Sequence, residues 1–348
     1  MKQIRIFSFV ASLVLCVLLL TAGCTEHAKK PAQTKVEPQK TVAAKVESEE
    51  KEPIVLALKF TPDDSTTYKL ITESDNSVIW ESADLEKPKG FTGGHTGRKI
   101  ETTFTQQIQS TDDKGNAVAK ITINQLKYLV KVKDEITTDF DSSRQQDRQN
   151  PLSNLIGQSY TIQITSSGQV SKLIDANDAR AAVKGDSAAD KMGANLLSLR
   201  AITERHTIPT LPASDKNQIL TGENWSSIKS FSFSMMGAKA YEKIYTLKEI
   251  KDVGNHRIAI AQMEAVPSAE YAKEQHKEQS ASFFANMSDN TETYTGELKL
   301  DLTAGKVEEY REDLTTEWLI VDPNPKKSKQ PAALKMTAVR SYSIEKMD

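Results

Sequence analysis

The stretch Arg98–Val132, "RKIETTFTQQIQSTDDKGNAVAKITINQLKYLVKV", decides the fold. Before its turn, Ile100, Thr102, Phe104, Gln106 and Ile108 alternate with polar neighbours. After "DDKGN", Ala119, Ile121 and Ile123 form one face, and Val118, Lys120 and Thr122 the other. Alternation with a period of two, on both sides of an Asp/Gly/Asn turn, predicts a long antiparallel hairpin with one dry face and one wet face. Two strands cannot bury such a face by themselves, so more strands or a helix layer must cover it.

The neighbouring segments supply both. Gly157–Ile174, "GQSYTIQITSSGQVSKLI", predicts a second hairpin turning at "TSSG". Asp175–Arg205 changes to an Ala-rich pattern with Leu196, Leu199 and Ile202 in helical spacing, which predicts one or two helices interrupted near Gly185 and Asp186. The build then recurs. "YTLKEIKDVGNHRIAIAQMEAV", Tyr245–Val266, matches the first hairpin at an offset of 139 residues, and "GELKLDLTAGKVEEYREDLT", Gly296–Thr315, matches the second at 137. The expectation is two related halves, 54–205 and 206–348. Between them, "TGENW" predicts a strand start at Trp225. Upstream, "IVLALKF", "TTYKLIT" and "SVIWES" predict three short strands, and "EKPKGFTGGHTGRK" a Gly-rich surface loop. Pro267–Asn286 has a helical, polar composition. The last strands are expected in "TTEWLIV" and "ALKMTAVRSYSIEKM". The predicted class is α+β and strand-rich: a large curved antiparallel sheet with helices over one face.

Composition narrows the function. The 348 residues are 38% hydrophobic, 26% charged and 6% aromatic, with a formal net charge of -2. No basic field exists to hold nucleic acid. The two cysteines, Cys16 and Cys24, both lie near the N-terminus. The rest of the chain therefore has no Cys nucleophile, disulfide or Cys-based zinc site.

That N-terminus begins with Lys2 and Arg5, continues in a 15-residue apolar run, Ile6–Leu20, and ends in Thr21, Ala22, Gly23 and Cys24. The run is shorter than the roughly 20 residues of a spanning helix and fits a secretory signal. The ordered series of charge, apolar run, small residues and cysteine resembles the lipobox of bacterial lipoproteins. The resemblance implies cleavage between Gly23 and Cys24, a diacylglycerol on the Cys24 thiol, and attachment to a membrane through two or three acyl chains. Thr21 stands where Leu is commonest. Thr25, rather than Asp, follows the cysteine, which in a Gram-negative cell implies passage to the outer membrane, facing the periplasm. Thr25–Pro53 is rich in Lys, Glu, Pro and Ala. Six lysines match six glutamates, and the segment reads as a disordered tether.

Candidate chemistry is sparse. Of His27, His95, His206, His256 and His276, none is spaced as a metal pair. "FTGGHTGRK" lacks phosphate-loop spacing, and no GxSxG elbow occurs. Asp63/Asp64 and Asp112/Asp113 sit in turns, where carboxylates hydrogen-bond the backbone. No catalytic residue, metal site or cofactor beyond the Cys24 lipid is expected. "SFSFSMMG", Ser230–Gly237, puts Phe231, Phe233 and Met235 on one strand face, either as plain core or as the lining of an apolar cavity.

Beyond the lipobox, the chain resembles uncharacterised bacterial envelope lipoproteins. The matching residues are Leu58-Lys59-Phe60 with Tyr68, Gly222-Glu223-Asn224-Trp225, and Gly296-Glu297-Leu298-Lys299-Leu300-Asp301 with Gly305-Lys306. Its expected architecture is also similar to the lipoprotein-carrier fold. The first expectation is a membrane-anchored module holding an apolar ligand, with a lipid or envelope protein as partner. The second is a structural or interaction module of the cell envelope. An enzyme comes third.

Overall fold

The computed structural model describes residues 52–81, 93–208, 211–213, 215–233, 236–268, 288–321 and 333–347. The predicted Cys24 site and nearly all of the tether fall outside them, as do Met235 and most of Pro267–Asn286.

The strands are β1 (Ile54–Val55), β2 (Ser65–Glu81), β3 (Gly94–Thr111), β4 (Ala117–Val132), β5 (Glu135–Asp141), β6 (Ser159–Ile164) and β7 (Val170–Asp175). Three short helices follow: α1 (Asn177–Ala182), α2 (Ala188–Leu196) and α3 (Leu199–His206). The chain resumes with β8 (Gln218–Ile219), β9 (Asn224–Ser232), β10 (Ala238–Val253), β11 (His256–Pro267), β12 (Ser288–Asp301), β13 (Lys306–Val321) and β14 (Ala333–Lys346). Among the described residues, β1 and β8 pair by themselves, and the other twelve strands form one sheet in the order β7-β6-β4-β3-β2-β14-β13-β12-β11-β10-β9, with β5 on β4. Every pairing is antiparallel. The strand-rich α+β class is therefore correct.

The order shows how the halves are laid out. β2 to β7 step across the sheet in one direction. The helices carry the chain back to the opposite edge, and β9 to β14 step in the same direction until β14 meets β2. The turn glycines at matching places, Gly115 with Gly254 and Gly168 with Gly305, all have positive φ (60–81°). Glycine adopts that conformation without a Cβ clash.

The sheet is curled. Adjacent strands lie about 4.8 Å apart, so β9 and β13, four positions away, would be roughly 19 Å apart on a flat sheet. Yet the ring of Phe233, just past β9, lies 5.2 Å from that of Trp318 on β13. At the other end of the strands, Leu58 N donates to Ser166 O at the β6–β7 turn (2.7 Å), while Lys59 N donates to Gly305 O at the β12–β13 turn (2.9 Å). Two turns five strands apart thus meet on consecutive residues. The inward positions of β11 explain how such a bend is filled: Ala259, Ala261 and Ala265 are small, with Met263 between them, and Gly296 is Met263's partner on β12. Long side chains of β10 and β13 reach one another over this low floor.

The helices start where serines cap them. Ser187 Oγ accepts from Asp190 N, and Asp190 Oδ2 accepts from Ser187 N, each at 3.1 Å. Ser198 Oγ accepts from Ala201 N. This is the reciprocal capping box for α2 and a simple cap for α3. Leu197 and Ile202 are fully buried together with Ile121, Ile162, Leu152 and Leu155.

Four expectations need correction. "IVLALKF" forms a strand only at Ile54–Val55, with Leu56 N still donating to Asn217 O; beyond it, Leu58 and Lys59 run across the strand ends and bond the two hairpin turns. "TTYKLIT" and "SVIWE" belong to a single 17-residue strand ending at Glu81, because the polar "ESDN" between them pairs with both β14 and β3. "GGHTG" is no surface loop from Gly94 onward: Gly94–Gly97 form the start of β3 and pair with Asp75–Val78. Pro267 closes β11 rather than opening a helix.

Candidate functional site

Where the helix layer meets the sheet, a cleft of about 260 Å³ opens. Its apolar wall is Leu70 on β2, Ile100 on β3, Leu196 on α2 and Phe231 on β9. These residues come from both halves, and β9 and β3 are seven strand positions apart, so only the curl brings them together. Sequence register explains the rest of the floor. Thr72 pairs with Ile100 and Tyr342, Tyr342 with Glu312, and Glu312 with Gly296, so these residues lie in one row on the concave face.

Beneath the β13 side lies a buried polar cluster. Lys243 is fully buried, and its Nζ donates to Glu312 Oε2 at 2.8 Å. The same oxygen accepts from Tyr310 OH (2.6 Å) and Tyr294 OH (2.9 Å). Tyr245 OH lies 3.3 Å from Tyr310 OH. Burial works against both charges, but each is held by the other. Lys243, then Lys229, keeps the Glu312 carboxyl below the ordinary carboxylate range, and Glu312 keeps Lys243 raised. Burial, then the Glu312 charge, pushes the phenols of Tyr310 and Tyr294 upward. Tyr294 and Tyr310 are therefore neutral donors, committed to one carboxylate rather than available as acids or nucleophiles.

A second cluster lies under the helices. Arg205 Nη1 donates to Tyr160 OH (3.1 Å), and Tyr160 OH lies 2.6 Å from His206 Nε2. Arginine can only donate, so the phenol oxygen accepts from Arg205, and the same hydroxyl hydrogen-bonds the imidazole. Burial, then the Arg205 charge, holds the imidazole well below its usual range, so His206 is neutral. Tyr342 OH donates to Arg205 O (2.9 Å) and ties α3 to β14.

Of the residues singled out from sequence, Phe231 lines the cleft. Phe233 is buried beyond it, against Trp318 and under the Arg340 guanidinium. His95 is exposed, 3.4 Å from Asp75 Oδ1, and lies outside the cleft lining. Asp112 Oδ1 accepts from Lys114 N and Asn116 N, which is turn chemistry. Glu308 and Glu309 pair with Lys346 and Lys299. Among the described residues, no group of three His, Cys, Asp or Glu side chains is placed to hold a metal.

Sequence reading missed Lys243, Glu312 and Arg340, although the signal was present. In "AYEKIYTL", Lys243 occupies the inward phase with Tyr241, Tyr245 and Leu247. In "EYREDL", Glu312 lies between Tyr310 and Leu314. In "MTAVRSYSI", Arg340 lies between Ala338 and Tyr342. A charge in the dry phase of a strand marks a buried pair or a site.

No family model and no curated relative matches the chain. Among solved structures, one of lipid–protein interactions in lipovitellin aligns with 83% of this chain at 10% identity and a TM-score of 0.41; the chain spans only 26% of that protein's length. DynF, from the dynemicin biosynthesis pathway of Micromonospora chersina, aligns over 90% of this chain and 92% of its own, at 7% identity and a TM-score of 0.18. Likeness at these levels carries no argument about what this chain does.

Proposed function

We propose that this chain is a binding module that holds a small amphiphilic ligand in the cleft between its helices and its curled sheet, and that Cys24 anchors it to a membrane. The observation that carries the binding reading is the 260 Å³ cleft itself. It has an apolar wall, and its rim gathers side chains from both halves of the fold. An apolar wall bordered by polar and charged side chains suits a ligand with one apolar and one polar end. The groups best suited to chemistry nearby, Lys243, Tyr294 and Tyr310, are consumed by one buried carboxylate. That favours binding over catalysis.

The anchor reading rests on the Lys2-to-Cys24 pattern and on the length of the following tether. As a coil, its 29 residues would span roughly 30 Å and carry the domain clear of the headgroups. The reading places the domain outside the cytoplasm.

Native mass spectrometry of the chain from residue 24, with Cys24→Ser, tests the ligand reading. A copurifying small mass, released by organic solvent, is expected. A clean apo mass that also takes up no added ten-carbon amphiphile would contradict it. For the anchor, Cys24→Ala should abolish lipid labelling and processing; unchanged labelling of the membrane fraction would refute it.

A further inference from the structure

The binding reading leaves open what kind of amphiphile fits. The charges around the cleft answer this. Four cations from four different elements line it: Arg98 on β3, Arg205 on α3, Lys229 on β9 and Arg340 on β14. Among the described residues, none of the four has a carboxylate within 4 Å. The three carboxylates of the lining are each paired with a cation outside it: Glu73 with Lys99 (3.3 Å), Glu204 with Arg200 (2.8 Å) and Glu312 with Lys243 (2.8 Å). Glu312 still acts on Lys229 at longer range, as Asp75 does on Arg340. These are partial compensations across several ångströms.

Two of the cations are held in place by neutral oxygens. Arg205 donates to Tyr160 OH (3.1 Å) and Leu196 O (2.8 Å). Arg340 donates to Asp75 O (2.9 Å), Val339 O (2.7 Å) and Asn76 Oδ1 (2.8 Å). Carbonyl, phenol and amide oxygens fix a guanidinium but leave its charge intact, and each group has further N–H donors to give. Arg205 is buried and Arg340 is half-buried. Taking unpaired cations out of water is unfavourable, and a bound anion removes the penalty.

A second observation points to the same place. Thr102, on the cleft lining and only 2% exposed, has a buried Oγ1 with no hydrogen-bond partner. Buried hydroxyls nearly always have one.

Resting on the binding reading, we infer that the cleft takes an anionic amphiphile. Its apolar body lies on Leu70, Ile100, Leu196 and Phe231, and its carboxylate or phosphate headgroup faces Arg98, Arg205, Lys229 and Arg340. Free fatty acids and phosphate-ester lipids share this chemistry.

Calorimetric titration of the mature chain with three ten-carbon probes separates the possibilities: decanoate, monodecyl phosphate and decanol. The expected result is that at least one of the two anions binds about tenfold or more tighter than decanol. The preferred anion identifies the headgroup. In Arg98→Gln/Lys229→Gln, which changes the two cations that carry no described hydrogen bond, that preference should fall to about threefold or less while decanol binding stays the same. Should that variant misfold, the affinity of the wild type for the anion should weaken as salt rises, and that for decanol should not. Equal affinity for anions and decanol in the wild type would overturn this inference and leave the binding reading standing. So would an anion preference insensitive to both the variant and salt. Failure of all three probes to bind would overturn the binding reading and this inference with it.

Discussion

The two halves of the sheet cover their concave faces differently. The first half, β2 to β7, is covered by helices: Ile121, Ile162, Leu197 and Ile202 are fully buried there, beside the rings of Phe104, Phe140 and Tyr160 and the neutral His206. The second half, β9 to β14, curls over itself and fills the space with rings and two ion pairs: Tyr245, Tyr294 and Tyr310 around the buried Lys243 and Glu312, and Tyr241 and Trp318 beside Lys239 and Glu292. Small residues on β11 permit this, because they let long side chains span what helices span in the first half. Similar hairpins therefore do not imply similar cores, and the cleft lies where the two kinds of interior meet.

The largest effect should come from removing the buried Lys243–Glu312 pair. Lys243→Met leaves Glu312 buried without its cation and should destabilise the protein by about 3–5 kcal/mol. Adding Glu312→Gln removes the stranded charge and keeps an acceptor for Tyr294 and Tyr310, so most of the loss should be recovered. Urea unfolding of the two variants checks this. Equal losses in both would mean that the pair acts through packing alone. The helix-covered half should respond to cavity formation instead: Ile202→Ala should cost about 2–5 kcal/mol with no rescue from changes in charge.

Acid should separate the halves further. His206 has its folded pKa depressed, so the folded state stays neutral while the unfolded chain takes up a proton. The resulting stability is complete above the unfolded value, about 6.5, and is lost below it by about 1.4 kcal/mol per pH unit. Glu312, also depressed, contributes stability that is present above the ordinary glutamate value, about 4.3, and fades only as pH falls further. Unfolding free energy measured from pH 8 to 4 should therefore slope below about 6.5, and His206→Gln should flatten that slope. An unchanged slope in the variant would remove His206 from the account.

The smallest effect is expected at the seam. Thr102→Val removes an unpartnered hydroxyl at nearly constant shape, and it should stabilise the ligand-free protein by about 1 kcal/mol. A loss of stability on thermal or urea unfolding would show that the hydroxyl has a partner in the protein.

Much of this architecture was legible in the sequence. Period-two alternation located the long hairpins, Ser187 and Ser198 sit where the helices begin, and the Asp/Gly turns gave the strand ends. A curved sheet was expected from the sequence, but not how tightly it curls, because that depends on which small residues face inward together on neighbouring strands, as Ala265 and Gly296 do on β11 and β12. The cleft was hidden for the same reason. Phe231 was picked out by strand pattern, but its companions Arg98, Arg205 and Arg340 come together only once the order β3-β2-β14 and the return through α3 are known. The join of β2 across "ESDN" was missed because polar residues in a central strand look like a turn when its neighbours are unknown.

The claim on which the rest depends is that a ligand sits at this seam and touches both halves. Amide hydrogen exchange, followed by mass spectrometry with and without the tightest-binding of the three ten-carbon probes, tests it directly. Protection should rise together in α2–α3 and in β9, segments adjacent only through the cleft. Protection in one of them alone, elsewhere, or nowhere would contradict the account.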